Sequence, residues 1–308
     1  MTKSSNFAAE YSVEELAIDL GQSRRSLMQS VSRIDASGYQ QFVDSKGKKR
    51  RPISAPAHWL KNLQRRLVDC VFASLPVSQR VYSQRGRNVV KNAQQHSANA
   101  YMLGMDLKDC FPTTTLEMVR DSLLRRGFRR DVVKVIARLV TYHGRLPQGP
   151  PTSPAVFDGV FFGADQELEV LAARHGAVYT RYMDDLCFSG PSPLRLLRRQ
   201  VVQVANASGF GINQRKTTIS GPNQTHEVTG IHISASKLHP PPSYVRDLEW
   251  SIRRFPGAPS KASTASIVGR IRWVRQLDEE MADNLLRDFQ SVVDSAPEVR
   301  RRLARKDR

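Results

Sequence analysis

Two adjacent aspartates interrupt an apolar segment beyond the middle of the chain. Asp184 and Asp185 follow residues 178–183 and precede Leu186-Cys187-Phe188. The apolar residues on both sides predict two short strands that form a hairpin, with the acids at its turn. Adjacent negative charges in such a place carry a large desolvation cost unless a cation compensates them. Because carboxylate oxygens are the ligands that Mg²⁺ prefers, the pair indicates a divalent-metal site.

A third acid, Asp106, ends another short apolar segment at residues 101–105. Two strands of one sheet could bring Asp106 beside Asp184, and the three carboxylates could then hold two metal ions about 3.5–4 Å apart. Salt-bridged acids on the surface are the alternative. Asp109, three positions after Asp106, could approach the same site or cap the turn that follows.

The charge balance favours a polyanionic partner. The formal net charge of the 308 residues is +18. Such a field concentrates nucleic acid at the protein surface, although an anionic membrane or a ribosome would also respond. The basic residues form several clusters rather than one tail, which fits a long groove better: 46–51, Arg65-Arg66, 125–130, 195–199 and 300–308.

The cysteine and hydropathy patterns are typical of an intracellular globular protein. Cys70, Cys110 and Cys187 are too few and too scattered for a disulfide framework or a zinc cluster, so buried free thiols are expected. No segment approaches the roughly 20 apolar residues of a membrane span, and the N-terminus leads into no apolar run typical of a signal peptide. We expect a cytoplasmic protein with no membrane partner.

Local patterns predict an order of helices and strands. Ser12 and Glu15 match a capping box, and residues 15–31 could form a helix-turn-helix or a plain packing unit. Ser153 is a plausible N-cap with Pro154 at the first helical position. We expect strands within 39–54 around a basic turn, and at 101–107, 177–189, 219–220 and 228–234. We expect helices at 58–75, 116–124, 132–142 and 194–208, and two further helices after residue 240.

Several of these segments resemble the motifs of reverse transcriptases, in the family's order. Tyr182-Met183-Asp184-Asp185 resembles the Y-x-D-D signature, and residues 106–111 resemble the motif in which an aromatic follows an aspartate by five positions. The loop 146–154 resembles Q-G-x-P-x-S-P. Residues 51–65 resemble the fingers motifs, and residues 211–217 resemble the motif whose lysine lies near the incoming nucleotide.

Two further segments resemble signatures of the retron group of this family. Asn92-Ala93-Gln94-Gln95-His96 matches N-A-x-x-H, and Val228-Thr229-Gly230 matches V-T-G. Pro150 and Met183 stand where the family often has a small residue, and neither change removes a catalytic group.

The resemblance implies the catalytic and nucleotide-binding roles. Asp106 and Asp184 would hold the metals, and Asp185 would be a ligand or its close neighbour. Phe111 would clash with a ribose 2′-hydroxyl and so favour deoxynucleotides. Lys216 could donate a proton to departing pyrophosphate. Backbone at Gln148 and Gly149 would approach nucleotide or template, and Arg51 and nearby Lys49 would grip the triphosphate.

Binding of RNA is assigned to two regions. Asn92 and His96 could contact RNA or brace the fingers against the palm. Arg270 and Arg272 near Trp273 suit a thumb that grips a duplex or an RNA stem, since arginine and aromatic faces serve RNA and unpaired bases.

The expected architecture is an α+β right-hand polymerase. Fingers with an N-terminal helical segment would cover 1–100, the palm with an antiparallel sheet, helices and the catalytic centre 101–233, and a helical thumb 234–308. The expected reaction is RNA-directed addition of dNTPs with Mg²⁺.

The resemblance to retrons also implies partners. A cognate structured noncoding RNA of the msr–msd type would serve as template and primer, and a branched RNA–DNA (msDNA) would be the product. A retron effector protein and an anti-phage role are implied too, with host RNase H trimming the RNA. The rivals are a group II intron or diversity-generating reverse transcriptase, and an RNA-binding protein that keeps a polymerase fold without activity.

Overall fold

Short, capped helices build the N-terminal region of the computed structural model, which describes residues 7–44, 51–257 and 260–295. The capping box is confirmed, because Ser12 Oγ accepts from Glu15 N and the Glu15 carboxylate accepts from Ser12 N. The helix pair predicted around Gly21 forms, and it buries Leu16 and Leu27 in the main core, which supports a packing unit. These helices are α1 (Phe7–Glu10), α2 (Val13–Asp19), α3 (Arg24–Ser32) and α4 (Ile34–Ser37).

The predicted hairpin follows. Strands β1 (Tyr39–Asp44) and β2 (Arg51–Pro56) are antiparallel, and the basic turn between them lies outside the described residues. Helix α5 (His58–Cys70) ends earlier than predicted and gives way to a short 3₁₀ turn. Pro76 explains why helical structure stops before residue 75. The proline ring disfavours helical backbone in the residue that precedes it, and Leu75 is extended. Helix α6 (Val89–Gln94) precedes the central sheet.

The central sheet carries the predicted acids at the ends of its strands. Its strand order is β4-β5-β3-β6, and neighbouring strands are antiparallel. Helix α10 begins one residue earlier than predicted, with Thr152 rather than Ser153 as N-cap. The elements are β3 (Tyr101–Asp106), α7 (Cys110–Thr113), α8 (Leu116–Arg125), α9 (Arg130–Val140), α10 (Ser153–Arg174), β4 (Val178–Tyr182), β5 (Asp185–Gly190), α11 (Arg195–Ala207) and β6 (Thr218–Ser220).

A small second sheet joins the central sheet to the C-terminal helices. Val228 and Ile231 pack with Met102 and Cys187 of the central sheet, and Trp273 contacts the same cluster from the C-terminal side. The strands are β7 (His226–Val228), β8 (Ile231–Ser234) and β9 (Lys237–His239). The helices are α12 (Pro242–Arg254), α13 (Lys261–Arg275) and α14 (Glu279–Asp294), of which α12 was not predicted.

The core explains how the strands of the central sheet are held in place. The main apolar cluster runs from Tyr11 to Phe210 and crosses the predicted boundary at residue 100, whereas Leu248 to Phe289 form a separate helical cluster. The three cysteines are free, with Cys110 and Cys187 buried and Cys70 half-buried. Within the described parts of the chain, no helix has the length and apolar character needed to cross a membrane.

Candidate active site

The three predicted acids meet at one edge of the central sheet. Asp106 ends β3 directly opposite Asp185, which begins β5, and Asp184 lies in the two-residue turn between β4 and β5. Backbone bonding fixes the turn against β3, because Leu107 N donates to Asp184 O at 2.8 Å. One carboxylate oxygen from each acid lies within 4.8 Å of the others. Strand register therefore assembles the cluster from segments far apart in sequence.

Asp106 is the most enclosed of the three. Its side chain is buried, that of Asp184 is half-buried and that of Asp185 is exposed. Asn213 Nδ2 donates to Asp106 Oδ1 at 3.3 Å, and Lys216 Nζ donates to Asp106 Oδ2. The pKa of Lys216 is raised, since the hydrogen bond and charge of Asp106 outweigh the desolvation that alone would lower it. The sequence-predicted lysine thus lies beside the acids.

The electrostatics of the cluster favour a cation. Although one side of Asp185 is exposed, desolvation by the surrounding protein raises its pKa to about 6, and the negative charges of Asp184 and Asp106 add to the effect. A divalent ion would relieve this repulsion, and three hard carboxylate oxygens suit Mg²⁺ or a similar ion. The donor set fits a metal.

Arg181 supports the turn that contains Asp184. Its guanidinium is fully buried, donates from Nε and Nη2 to both carboxylate oxygens of Asp165 at 2.8 Å, and lies 2.9 Å from Asp158. Nη1 also donates to the backbone oxygen of Met183 at 2.9 Å. Burial alone would lower the pKa of Arg181, but the charge and hydrogen bonds of Asp165 together with the charge of Asp158 outweigh it, and the pKa is raised.

The part of the chain that contains the three acids matches a known protein family. Residues 43–233 match the family described as reverse transcriptase (RNA-dependent DNA polymerase), a span that contains Asp106, Asp184 and Asp185. The chain belongs to this family. The expected fold is confirmed by two solved structures that share only 10–12% identity and so bear on fold alone. They are telomerase from Candida albicans with a fragment of telomeric RNA (TM-score 0.50) and apo telomerase from Candida tropicalis (TM-score 0.51). Each similarity covers 89% of this chain; it covers 59% of the Candida albicans chain and 61% of the Candida tropicalis chain.

Curated relatives confirm the resemblance to retron reverse transcriptases. Retron Mx65 reverse transcriptase of Myxococcus xanthus is 31% identical over 258 residues, which is 77% of this chain and 60% of that protein. Retron Ec86 reverse transcriptase of Escherichia coli is 32% identical over 204 residues, which is 64% of this chain and 63% of that protein. The chain spans about three-fifths of the length of these relatives.

The residues that the family resemblance assigns to the incoming nucleotide lie in α7 and in the loop before α10. Phe111 is half-buried in α7 and meets Phe157 edge-on, with ring centroids 6.0 Å apart. The loop with Gln148 and Gly149 docks on β2, where Ser54 N donates to Gln148 O at 2.8 Å. Gly149 has a φ of 124°, and a Cβ there would lie 3.0 Å from Ser54 O. Close approach of backbone therefore requires glycine.

The remaining fingers residues are only partly described. The backbone of Arg51 begins β2, and nothing is described of its side chain; Lys49 lies outside the described residues. Binding of the triphosphate by either residue stays a prediction.

The three residues that define the N-A-x-x-H segment, Asn92, Ala93 and His96, are buried. His96 is fully buried, and its two ring nitrogens bond Ser189 Oγ and Thr180 Oγ1, each at 2.7 Å. These bonds tie the segment that follows α6 to two strands of the central sheet, which supports the bracing alternative, while RNA contact by His96 stays a prediction. Asn92 is also buried, but it lines a cavity beside the acids. Its RNA contact stays a prediction.

In the C-terminal helices, two of the three predicted RNA-binding residues contact other parts of the protein. Arg270 donates to Ser251 Oγ at 3.0 Å and to Tyr244 O at 3.3 Å, and Trp273 packs on Tyr244 with ring centroids 4.5 Å apart. Arg272 is exposed. RNA binding by this surface stays a prediction.

Two features differ from the sequence interpretation or escaped it. Asp109 occupies the N-cap position of α7 in left-handed backbone (φ 48°), and its side chain makes no capping hydrogen bond. The Arg181 network was missed. Its signal was present, because Asp158 and Asp165 are two helical turns apart on one face of an apolar helix, and Arg181 interrupts an apolar strand.

Proposed function

We propose that this chain is an RNA-directed DNA polymerase that adds deoxynucleotides to a primer with Mg²⁺. The observation that carries the proposal is the convergence of Asp106, Asp184 and Asp185 at the end of the central sheet. Membership of the reverse transcriptase family supports the choice of template and product.

The residues around the acids would have distinct roles in nucleotide addition. Mg²⁺ held by the three carboxylates would stabilise charge on the attacking hydroxyl and on the departing pyrophosphate. Lys216, whose ammonium bonds Asp106, would supply a proton to that leaving group. Phe111 would exclude a 2′-hydroxyl, while Gln148 and Gly149 bring backbone to the nucleotide. Arg51 and Lys49 would hold the triphosphate.

Primer extension tests this function. Purified protein is given a DNA primer on an RNA template, dNTPs and Mg²⁺, and Asp184→Asn is compared with Asp109→Asn. We expect Asp184→Asn to lose extension, because it removes a ligand charge. Asp109→Asn should retain it, since asparagine tolerates the left-handed backbone of this exposed position. No extension by the unaltered chain, or equal extension by Asp184→Asn, would reject the polymerase.

We further propose that the template is a structured noncoding RNA of the msr–msd type and that the product is branched RNA–DNA. The relatives named as retron reverse transcriptases support this reading over group II intron or diversity-generating enzymes. Host RNase H would trim the RNA, and an effector protein would act with the complex against phage. We also propose that the fingers cover residues 1–100, the palm 101–233 and a helical thumb 234–308.

Nucleic acid that co-purifies from cells tests the retron assignment. Sequencing before and after a debranching treatment should reveal one discrete DNA joined to RNA through a 2′-linkage, and Asp184→Asn cells should lack the DNA. Heterogeneous RNA without linked DNA would point to one of the rival reverse transcriptases, provided that the purified chain still extends primers.

A further inference from the structure

A stretch of sequence without acids forms a basic groove at one edge of the central sheet. Between Asp185 and Glu227 the sequence contains no acidic residue. Helix α11 lies in this stretch and carries several arginines at its beginning. The groove has a volume of about 600 Å³. Its described lining residues are Arg195, Arg198, Arg199, Val202, Gln214 and Ile219.

This groove is separate from the cavity against the catalytic acids. None of its described lining residues lines that cavity. Ile219 belongs to β6, the last strand in the order β4-β5-β3-β6, so the groove lies at an edge of the sheet. Arg198 Nη2 donates to Gln214 Oε1 at 2.8 Å, and Gln214 begins the 3₁₀ turn that ends at Lys216. A ligand in the groove would therefore lie beside the candidate active site rather than in it.

The three arginines of the groove have no acidic partner in the described parts of the chain. Arginines elsewhere in the protein do pair with acids, as Arg181 does with Asp165 and Arg80 with Glu169. Arg195, Arg198 and Arg199 form no such salt bridge there. Their charges are therefore available to a partner outside this region.

The arrangement of these arginines opposes the stability of their own helix. Arg195 and Arg199 are four positions apart, so two like charges are neighbours on one side of α11. They also lie near the N-terminal end of the helix, where the macrodipole disfavours cations. Both side chains are exposed, so they do not fill the core. A structural role does not explain these charges, whereas an anionic ligand would offset their repulsion.

The lining of the groove favours a chain of phosphates. Arginine offers phosphate a planar, bidentate fork. No aromatic ring is present among the described lining residues, so the groove lacks a platform on which a base could stack. Arg195 and Arg199 are about one helical turn apart, roughly 5.4 Å along the axis. A nucleic-acid strand carries closely spaced phosphates and could contact both guanidinium groups at once.

We propose that this groove binds the phosphate backbone of an RNA strand outside the candidate active site. The choice of RNA rests on the proposed function, in which RNA is the template. The contact would not depend on sequence, because phosphate contacts position a strand without reading its bases. RNA held beside the turn that carries Lys216 would stay attached to the protein while the active site extends the primer.

Equilibrium binding of a labelled single-stranded RNA oligonucleotide tests this site. A short primer–template is present at saturation, and dNTPs are left out. The unaltered chain is compared with Arg195→Gln/Arg199→Gln and with the control Arg120→Gln/Arg130→Gln. Arg120 and Arg130 are exposed residues of α8 and α9 outside the groove, so the control loses the same net charge. Fluorescence anisotropy gives the affinity over a series of salt concentrations.

We expect the groove variant to bind this RNA roughly tenfold more weakly at about 0.1 M salt, while the control changes little. The slope of log affinity against log salt should become shallower by about 1.4, as expected for two lost phosphate contacts to a single strand. The kcat for extension of the short primer–template should stay unchanged in the groove variant. Its melting temperature should stay the same or rise, because two like charges are removed from α11.

An equal loss of affinity in the two double variants would overturn the proposal, since only net charge would then matter. A lowered melting temperature with a matching loss of primer extension would also overturn it, as a structural role predicts. Polyglutamate that competes as well as RNA would overturn it in favour of an acidic protein partner. Tighter binding of DNA of the same sequence would reject the choice of RNA. If the unaltered chain extends no primer but the groove variant still loses RNA affinity, the polymerase function is rejected and the groove assignment stands.

Discussion

Arg181 Nη1 donates a 2.9 Å hydrogen bond to the backbone oxygen of Met183, the residue before Asp184. The same guanidinium is clamped by Asp165 through two parallel bonds, so its position is set by helix α10. Met183 itself has a φ of 56°, a left-handed conformation that a non-glycine residue adopts at a cost. A buried ion pair thus connects the interior of a helix to the strained turn that contains Asp184.

Arg181→Lys should separate positioning from binding. Lysine keeps the charge but lacks the planar fork that serves Asp165 and Met183 together. We expect kcat for primer extension to fall while the KM values for dNTP and primer stay near those of the unaltered chain.

Asp165→Asn, which leaves a buried guanidinium poorly compensated, should lower the free energy of unfolding by about 3–5 kcal/mol.

Arg80→Lys is the matched control for both measurements. Arg80 pairs with Glu169 at 2.7 Å, but both side chains are more than a third exposed, and such pairs contribute about 0–1 kcal/mol. Urea unfolding and primer extension should therefore change little. If Arg181→Lys retains full kcat, the bond to Met183 does not position the turn.

Protonation of His96 should couple stability to pH. Burial lowers the pKa of His96 to about 3, below the value near 6.5 expected in the unfolded chain. The unfolded state therefore binds the proton first as the pH falls. Stability from the neutral ring is fully present above pH 6.5 and is lost progressively between 6.5 and 3, at about 1.4 kcal/mol per pH unit.

The measurement is the free energy of unfolding in urea at pH 7 and pH 5, for the unaltered chain and for His96→Asn. The unaltered chain should lose about 2 kcal/mol more than the variant over this interval. Burial also lowers the pKa of His226, but that residue is present in both proteins, so the difference isolates His96. Parallel losses in the two proteins would show that His96 titrates normally.

The sequence predicted the parts of the site that depend on local pattern. Asp106, Asp184 and Asp185 were recognisable because charge stands at the ends of apolar strands, and strand register then brought them together. His96 was ambiguous, since its ring partners on β4 and β5 are more than 80 residues away in sequence. The Asp165 clamp on Arg181 depends likewise on how α10 packs on β4, which no local pattern specifies.

Gly149→Ala should weaken the contact between the loop and β2. A Cβ at Gly149 would lie 3.0 Å from Ser54 O and 3.1 Å from Ile53 Cγ2, on a backbone with φ 124° that L-residues rarely adopt. We expect roughly 1–3 kcal/mol of lost stability and a higher KM for dNTP.

Gly144→Ala provides the comparison for this prediction. Gly144 also has a positive φ, of 73°, but a Cβ there meets no atom within 4 Å among the described residues. Gly144→Ala should lower the free energy of unfolding through backbone strain and leave the KM for dNTP unchanged. Equal KM values for the two variants would show that the position of the loop does not affect nucleotide binding.

Phe111→Ala should relax discrimination against ribonucleotides. The ring is half-buried and meets Phe157 edge-on at 6.0 Å, so its neighbour limits how far it can move away from a 2′-hydroxyl. Steric overpacking costs about 1–3 kcal/mol, so its removal should raise the relative kcat/KM for rNTP over dNTP by roughly 5- to 150-fold.

Phe162→Ala, on α10 and facing a different cavity, is the control for loss of an aromatic ring and should keep the selectivity. Competition of each dNTP with its rNTP on one RNA template measures the ratio directly, and an unchanged ratio in Phe111→Ala would mean that another residue excludes the 2′-hydroxyl.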